Sequence, residues 1–253
     1  MQSKWIGFVF VLITSFWATF AFADGSLPKI LFDQGHNQHF LISEKGELQL
    51  SGLAEVMREK GAVVTATSEP LNDDALQGVA ALVISGPFKS LQAAEVEAVT
   101  RFLERGGRLA VMLHIGPPLA GLLDLLDVDH SNAVLHEKIS VIDKDINFHV
   151  KGLDAHPLFA DLTQFSLYGG WALKAGKNGV GVARTSAEAW VDLDGDKTLS
   201  NNDAVGAFDV VVVGSFGAGN FVIFGDDAIF QNRFLDKDNG QLAANLAEWL
   251  IKR

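Results

Sequence analysis

The sequence predicts an α/β fold: a mostly parallel sheet with helices on both faces, extended by antiparallel strands in the C-terminal half. Three observations carry the prediction. Short apolar, β-branched runs alternate with segments of helical period through the first half of the chain, as in strands joined by crossover helices and buried on both faces. Residues 132–185 alternate more strictly and carry hairpin-like breaks at Asp143-Lys144-Asp145 and Lys177-Asn178-Gly179. Near the end, two apolar runs at 208–214 and 220–224 are joined by Ser215-Phe216-Gly217-Ala218-Gly219, a hairpin pattern. The chain has 253 residues, 48% of them hydrophobic. It shows no internal repeat or long linker, so one domain over 24–253 accommodates the pattern.

The first residues read as an export signal. Lys4 supplies a positive n-region, and Trp5 to Phe22 is apolar apart from Gly7, Thr14, Ser15 and Thr19. Ala21-Phe22-Ala23 matches the small-x-small cleavage pattern, so 1–23 is expected to be a signal peptide and Asp24 the mature start, in the periplasm or outside the cell. Left uncleaved, the same run approaches the ~20 residues that span a bilayer and would act as an anchor. No later run is long enough to span.

The strands and helices follow in order. A short apolar run, 30–32, stops at Asp33 and opens into a polar loop holding Asp33, Gln34, His36, Asn37 and His39. Leu50, Leu53, Val56 and Met57 then share one helical face, and Gly61 is placed to end that helix. A strand is expected at 62–65, and a helix start at Asn72-Asp73-Asp74. The nearly continuous apolar run 79–85 is the next strand. Ser90 is expected to cap a helix with Val96, Val99, Phe102 and Leu103 inward and Gly106-Gly107 at its end. The strand 108–113 follows, then His114-Ile115-Gly116-Pro117-Pro118 leading to a helix at 119–126. A closing helix aligns Leu242, Leu246, Trp249 and Leu250, with Lys252 and Arg253 at its negative end.

Composition narrows the functional classes. The formal charge is −11, and the sequence shows no Lys/Arg cluster, which argues against nucleic acid and anionic lipid as partners. There is no cysteine, which excludes disulfides, thiolate metal sites and a Cys nucleophile.

The order of elements resembles the class I glutamine-amidotransferase-like (flavodoxin-like) fold. Within it the chain is most similar to an uncharacterised family of exported bacterial proteins. Relatives of that family include the auxiliary component of gliding-motility ABC transporters and the N-terminal domain of an intraflagellar-transport subunit. The residues that carry the resemblance are Phe32-Asp33-Gln34-Gly35-His36, Gly106-Gly107-Arg108-Leu109, His156-Pro157-Leu158 with Leu162 and Phe165, and Gly217-x-Gly219-x-Phe221-Val222-Ile223-Phe224-Gly225-Asp226. The departure concerns catalysis. Amidotransferases of this class place a Cys at the turn after the strand corresponding to 108–113, and here that turn reads Leu113-His114-Ile115-Gly116-Pro117, without Cys, Ser or Thr. A Gly-x-Ser-x-Gly elbow is also missing, since Val213 stands where the first Gly of Ser215-Phe216-Gly217 belongs. The resemblance implies a pseudoenzyme, and no catalytic residue is assigned.

Two constellations stand out. In 192–203, Asp192, Asp194, Asp196 and Asp203 fall at positions 1, 3, 5 and 12 of an EF-hand-type loop, with Leu199 at 8 and the carbonyl of Thr198 available at 7. Lys197 replaces the usual Gly at 6, and Asp203 the usual Glu at 12. The flanks 189–191 and 208–213 read as strands, so the expectation is one structural Ca²⁺ in a loop inserted between strands; the bland reading is an acidic turn. The second constellation comprises Asp33, His36 and His39 after the first strand, His114 after the fourth, and Asp226 and Asp227 after a late one. If those strands are parallel neighbours, their carboxyl ends meet at one ligand crevice. His130, His136 and His149 show no ligand spacing and are expected in surface or loop roles, and Trp171 in core packing.

The expected function is a non-catalytic envelope domain that binds a ligand or partner protein, accessory to a transport or surface-assembly system. The alternatives are a hydrolase working through His36, His114 and Asp226, with or without a metal, and a carbohydrate-binding module using Trp171.

Overall fold

The computed structural model describes residues 27–252, so the expected signal peptide over 1–23 and its expected cleavage before Asp24 lie outside the described residues. Among those described, no helix is long and apolar enough to cross a membrane. The first half runs β1 (Lys29–Asp33), α1 (Ser51–Glu59), β2 (Val63–Thr67), β3 (Ala81–Ser85), α2 (Ala93–Glu104), β4 (Arg108–Met112) and α3 (Ala120–Leu126). The second half is strand-rich. It runs β5 (Val128–His136), β6 (Asn147–Val150), β7 (Gly152–Leu153), β8 (Phe165–Tyr168), β9 (Trp171–Ala175), β10 (Gly179–Arg184), β11 (Trp190–Val191), β12 (Ala204–Val205), β13 (Asp209–Phe216), β14 (Gly219–Phe224) and α4 (Lys237–Ile251).

Five strands in the order β2-β1-β3-β4-β14 are parallel. β14 is also one arm of a tight antiparallel hairpin with β13, and β13 hands the sheet on to β9, β5, β11 and β12, which pair antiparallel. β10 pairs with β13, and β6 with β8 forms a separate two-stranded ladder. The mixed architecture is the one the sequence predicts. All five residues of β3 are buried, which is why 79–85 reads as an unbroken apolar run.

Alternate residues of each strand feed opposite faces. Phe32, Met57, Phe148, Phe224, Phe230 and Leu246 pack on the side of α1 and α4. Leu31, Leu82, Val99, Phe102, Leu109 and Phe221 pack on the side of α2 and α3. Each fully buried Phe contributes roughly 1.5–3 kcal/mol of transfer free energy.

Two local expectations need correction. The helix expected from Asn72 is a single turn: Asn72 Oδ1 accepts from the Ala75 amide at 2.8 Å, but Gly78 turns the chain at φ +68° into β3. Ser90 does not cap α2. Gln92 does, because Glu95 reaches back to the Gln92 amide at 2.8 Å and is itself held from elsewhere in the fold. At the end of α4, Lys252 stands at the C-cap as expected and Arg253 lies outside the described residues; Arg108 of β4 also reaches this end, its guanidinium donating to the Trp249 carbonyl at 2.7 Å and lying 5.0 Å from the Trp249 ring centroid.

Candidate functional site

Register brings the crevice residues to one edge of the sheet. Asp33 pairs with Ile84, Ser85 with Met112 and Phe224 with Met112, so β1, β3, β4 and β14 end together. The loops holding Asp33–His39, His114 and Asp226–Asp227 therefore leave the same rim, where open α/β sheets bind ligands. They do not form one cluster. They form two.

The first is a buried knot. His36 is 3% exposed, with Nδ1 2.8 Å from Asp33 Oδ2 and Nε2 3.1 Å from Glu95 Oε2. Asp33 also accepts from Gln38 Nε2 at 2.6 Å and from the Gly35 amide at 3.1 Å, and the carbonyl of Gln38's side chain accepts from the His36 amide at 2.8 Å. Glu95 in turn accepts from the Leu71 and Gln92 amides. Burial opposes a charge on His36, but the hydrogen bond and charge of Asp33, followed by those of Glu95, outweigh it and raise the imidazole above its usual range. Burial likewise opposes the Glu95 charge and is outweighed by the Gln92 amide, His36 and the Leu71 amide, which lower its carboxyl. With both ring nitrogens engaged, His36 is a tie between the first loop and α2.

The second cluster lies open. His114, about a third exposed, places Nδ1 3.1 Å from Oδ1 of buried Asp227. Asp227 Oδ2 packs beside Gly86, where a side chain would collide with it, and has no hydrogen-bond partner among the described residues. Asp226, 3% exposed, accepts from the Tyr168 amide at 2.7 Å and the Ala228 amide at 2.8 Å. Burial, then the charge of Asp227, push the Asp226 carboxyl up to about 8 against those two amides. Burial raises Asp227 too, while its hydrogen bond to His114 opposes the rise and holds the imidazole above its ordinary value.

A cavity of about 210 Å³ lies over this pair, lined among others by Phe40, Leu48, His114, Tyr168 and Gln231. His39 stacks on Phe88 at 4.2 Å, Phe88 and Phe40 approach the His114 ring at 4.9 and 5.5 Å, and Phe234 stacks on Tyr168 at 3.8 Å.

His39 thus belongs to the aromatic rim of the second cluster, and Asp33 and His36 to the knot. An acid–base centre built from His36, His114 and Asp226 together is not formed, since His36 is bound to Asp33 and Glu95 and His114 to Asp227. Trp171 is half-buried and donates its Nε1–H to the His114 carbonyl at 3.1 Å. His130 bonds the Ser131 carbonyl, His136 pairs with Asp145 and stacks on Trp190, and His149 meets Ser166. Glu95 and Tyr168 are the functional-site residues that the sequence reading does not single out. The pairing of Gln92 with Glu95 three residues on is the capping signal that exposes the first, and nothing local exposes the second.

The acidic loop joins β11 to β12, which pair with each other; the second flank is Ala204–Val205, short of the expected 208–213. One oxygen each of Asp192, Asp194 and Asp196 lie within 4.8 Å of one another, a spread that fits Ca–O distances of about 2.4 Å. Lys197 adopts φ +63°, the left-handed geometry for which Gly is usual at this position. Asp203 stands outside that trio, its oxygens accepting from the Leu193 amide at 2.9 Å and the Ser200 amide at 2.7 Å, and the Thr198 amide donates to Asp196 at 2.7 Å.

A family model described as "Domain of unknown function (DUF4350)" matches residues 43–247, and the chain belongs to that family. Among solved structures it is similar to the N-terminal domain of mmIFT52, at 19% identity and a TM-score of 0.71, covering 88% of this chain and 98% of that one. A protein described as ThuA-like from Bacteroides uniformis aligns at 15% identity and 0.51, covering 92% and 94%. A cytoplasmic protein of Salmonella typhimurium LT2, STM1381, aligns at 15% and 0.54, covering 88% and 100%. At these identities the likeness concerns the fold. No curated protein matches.

Proposed function

We propose that the chain is an exported, non-catalytic binding domain of the bacterial envelope, accessory to a transport or surface-assembly system, whose crevice over Asp226 and Asp227 receives a ligand or a partner's side chain. The strand order β2-β1-β3-β4-β14 supports reading the fold as amidotransferase-like and flavodoxin-like. One observation carries the functional reading: the turn after β4, where a nucleophile would stand, presents His114, held by Trp171 at its carbonyl and by Asp227 at its ring. That arrangement shapes a pocket wall and offers no hydroxyl or thiol to form an acyl-enzyme. Incubation with broad serine- and cysteine-hydrolase probes, followed by intact-mass measurement, is expected to give no adduct. A stoichiometric adduct on any Ser or Thr would sink the reading.

The loop 192–203 is proposed to hold one structural Ca²⁺ through Asp192, Asp194 and Asp196, with the Thr198 carbonyl and Asp203 completing the shell after a local shift of Asp203. The donor chemistry supports it, being carboxylate and carbonyl oxygen throughout. N-terminal sequencing of the processed protein is expected to begin at Asp24; a retained Met1 in a membrane fraction would make it an anchored domain.

A further inference from the structure

We infer that the crevice over Asp226 and Asp227 is a site for a small organic cation, an alkylammonium group held between the carboxylate floor and the rings of Phe40 and Tyr168. The inference rests on the binding-domain reading above and narrows its ligand class. Two buried carboxylates adjoin at the floor, and His114 alone balances them. Asp227 is compensated on one oxygen only, since Oδ2 has no partner. Asp226 is hydrogen-bonded by two backbone amides and by no cationic side chain. Among the described residues no lysine or arginine lines the cavity, and by that count the site is one positive charge short.

The walls fit that missing charge. Phe40 and Tyr168 line the cavity with aromatic rings that attract a cation, and Phe234 stacks on Tyr168. The volume of about 210 Å³ is below the roughly 300–1,000 Å³ of drug-sized pockets, so the ligand, or the part of it that enters, is small. A metal ion fits less well. Among the described residues the grouping with metal-compatible geometry is Asp192, Asp194 and Asp196, and it includes neither Asp226 nor Asp227.

Binding is coupled to a proton. At neutral pH the floor takes up a proton on Asp226, whose carboxyl burial and Asp227 raise to about 8. An entering cation replaces that proton. The groups that face Asp226 are Asp227 on its own segment, His114 from the turn after β4 and Tyr168 from β8, with Asp236 and Asp143 beyond Tyr168. Of these, His114 opposes the cation and the carboxylates favour it.

The test is calorimetric titration of the whole protein with butylammonium, tetramethylammonium, butyrate and glucose at constant ionic strength. The expected result is binding of the two cations, with about one proton released near pH 7, read from the dependence of the heat on buffer ionisation. Affinity is expected to rise about tenfold per pH unit below pH 8. Asp226→Asn is expected to abolish proton release and weaken butylammonium at least tenfold. Tyr168→Leu is expected to weaken tetramethylammonium while leaving proton release intact. If Asp226→Asn does not fold, proton release by the unaltered protein decides. Binding of butyrate or glucose in place of the cations overturns the cation assignment and leaves a binding crevice standing. Binding of no probe at 10 mM overturns the assignment as well, and the hydrolase-probe result then still judges the non-catalytic reading by itself.

Discussion

The knot around His36 and the pair below His114 are made of the same materials, a histidine against two carboxylates at the same rim of the sheet, and they are finished differently. In the knot both ring nitrogens and both acids are hydrogen-bonded, and everything is buried. Below His114 one carboxylate oxygen is unpaired, the histidine is partly exposed, and a cavity adjoins. Closure of every polar group marks a structural tie, and an unpaired oxygen on a carboxylate that lines a cavity leaves the second cluster unfinished.

The comparison breaks most directly through stability. His36→Ala would strand Asp33 and Glu95 in the core, and a loss of about 3 kcal/mol or more is expected in denaturant unfolding. His114→Ala is expected to cost only about 1 kcal/mol, because Asp227 can take up a proton. Equal losses would mean that the second cluster is as structural as the first.

pH separates the two next. His36 is raised, so its contribution is complete below its ordinary 6.5 and is lost as pH rises through its folded value. Glu95 is lowered, so its contribution is complete above its ordinary 4.5 and is lost as pH falls through its folded value. Between 4.5 and 6.5 the knot is therefore at full strength and flat. Asp226 is raised from 3.8 to about 8, so its contribution is complete below 3.8 and drains away up to about 8. In that shared window the stability difference between the unaltered protein and Asp226→Asn is expected to change by about 1.4 kcal/mol per pH unit, measured by thermal or denaturant unfolding. A parallel pair of curves would show that Asp226 is ionised throughout.

Much of the frame behind this contrast was legible in the sequence, because buried parallel strands write themselves as apolar runs that stop at polar residues. Asp33, His114 and Asp226 follow such stops, and that suffices to bring them to one rim. Their orientation was not legible. Whether His36 faces the rim or the core depends on Glu95, 59 residues away on α2, and no local pattern reports that. The same reach explains the misplaced start of α2. Ser90 has the better capping propensity, but Glu95 fixes the helix start at Gln92 while serving His36. The run at Asn72 failed for the opposite reason: its cap is real, and Gly78 leaves no length for a helix behind it.

The acidic loop supplies a third case, in which the proposed Ca²⁺ would complete the closure. Adding Ca²⁺ at tenfold over Kd to EDTA-treated protein is expected to stabilise the fold by about 1.4 kcal/mol, if only the folded state binds. That is a melting shift of a few degrees, which Asp194→Ala should abolish. An unchanged melting temperature at millimolar Ca²⁺ would leave only an acidic turn. The smallest effect is expected from Lys197→Gly, which relieves the φ of +63°. A gain of about 0.5–1 kcal/mol, with tighter Ca²⁺ binding, is the expected outcome. A loss would show that the lysine side chain is needed to hold the loop.

The position of β14 has a consequence for how the protein is made. It is the last strand among the described residues, yet it sits mid-sheet, parallel to β4 on one side and antiparallel to β13 on the other. A chain emerging from its N-terminus can assemble β1 to β4 early, but β4 keeps an unpaired edge until residues 219–224 arrive. Such long-range closure is slow and leaves apolar strands open to wrong partners meanwhile. The residues that form the floor of the crevice come immediately after that strand, so the crevice appears only when the sheet is sealed, and a half-made protein has no pocket at all.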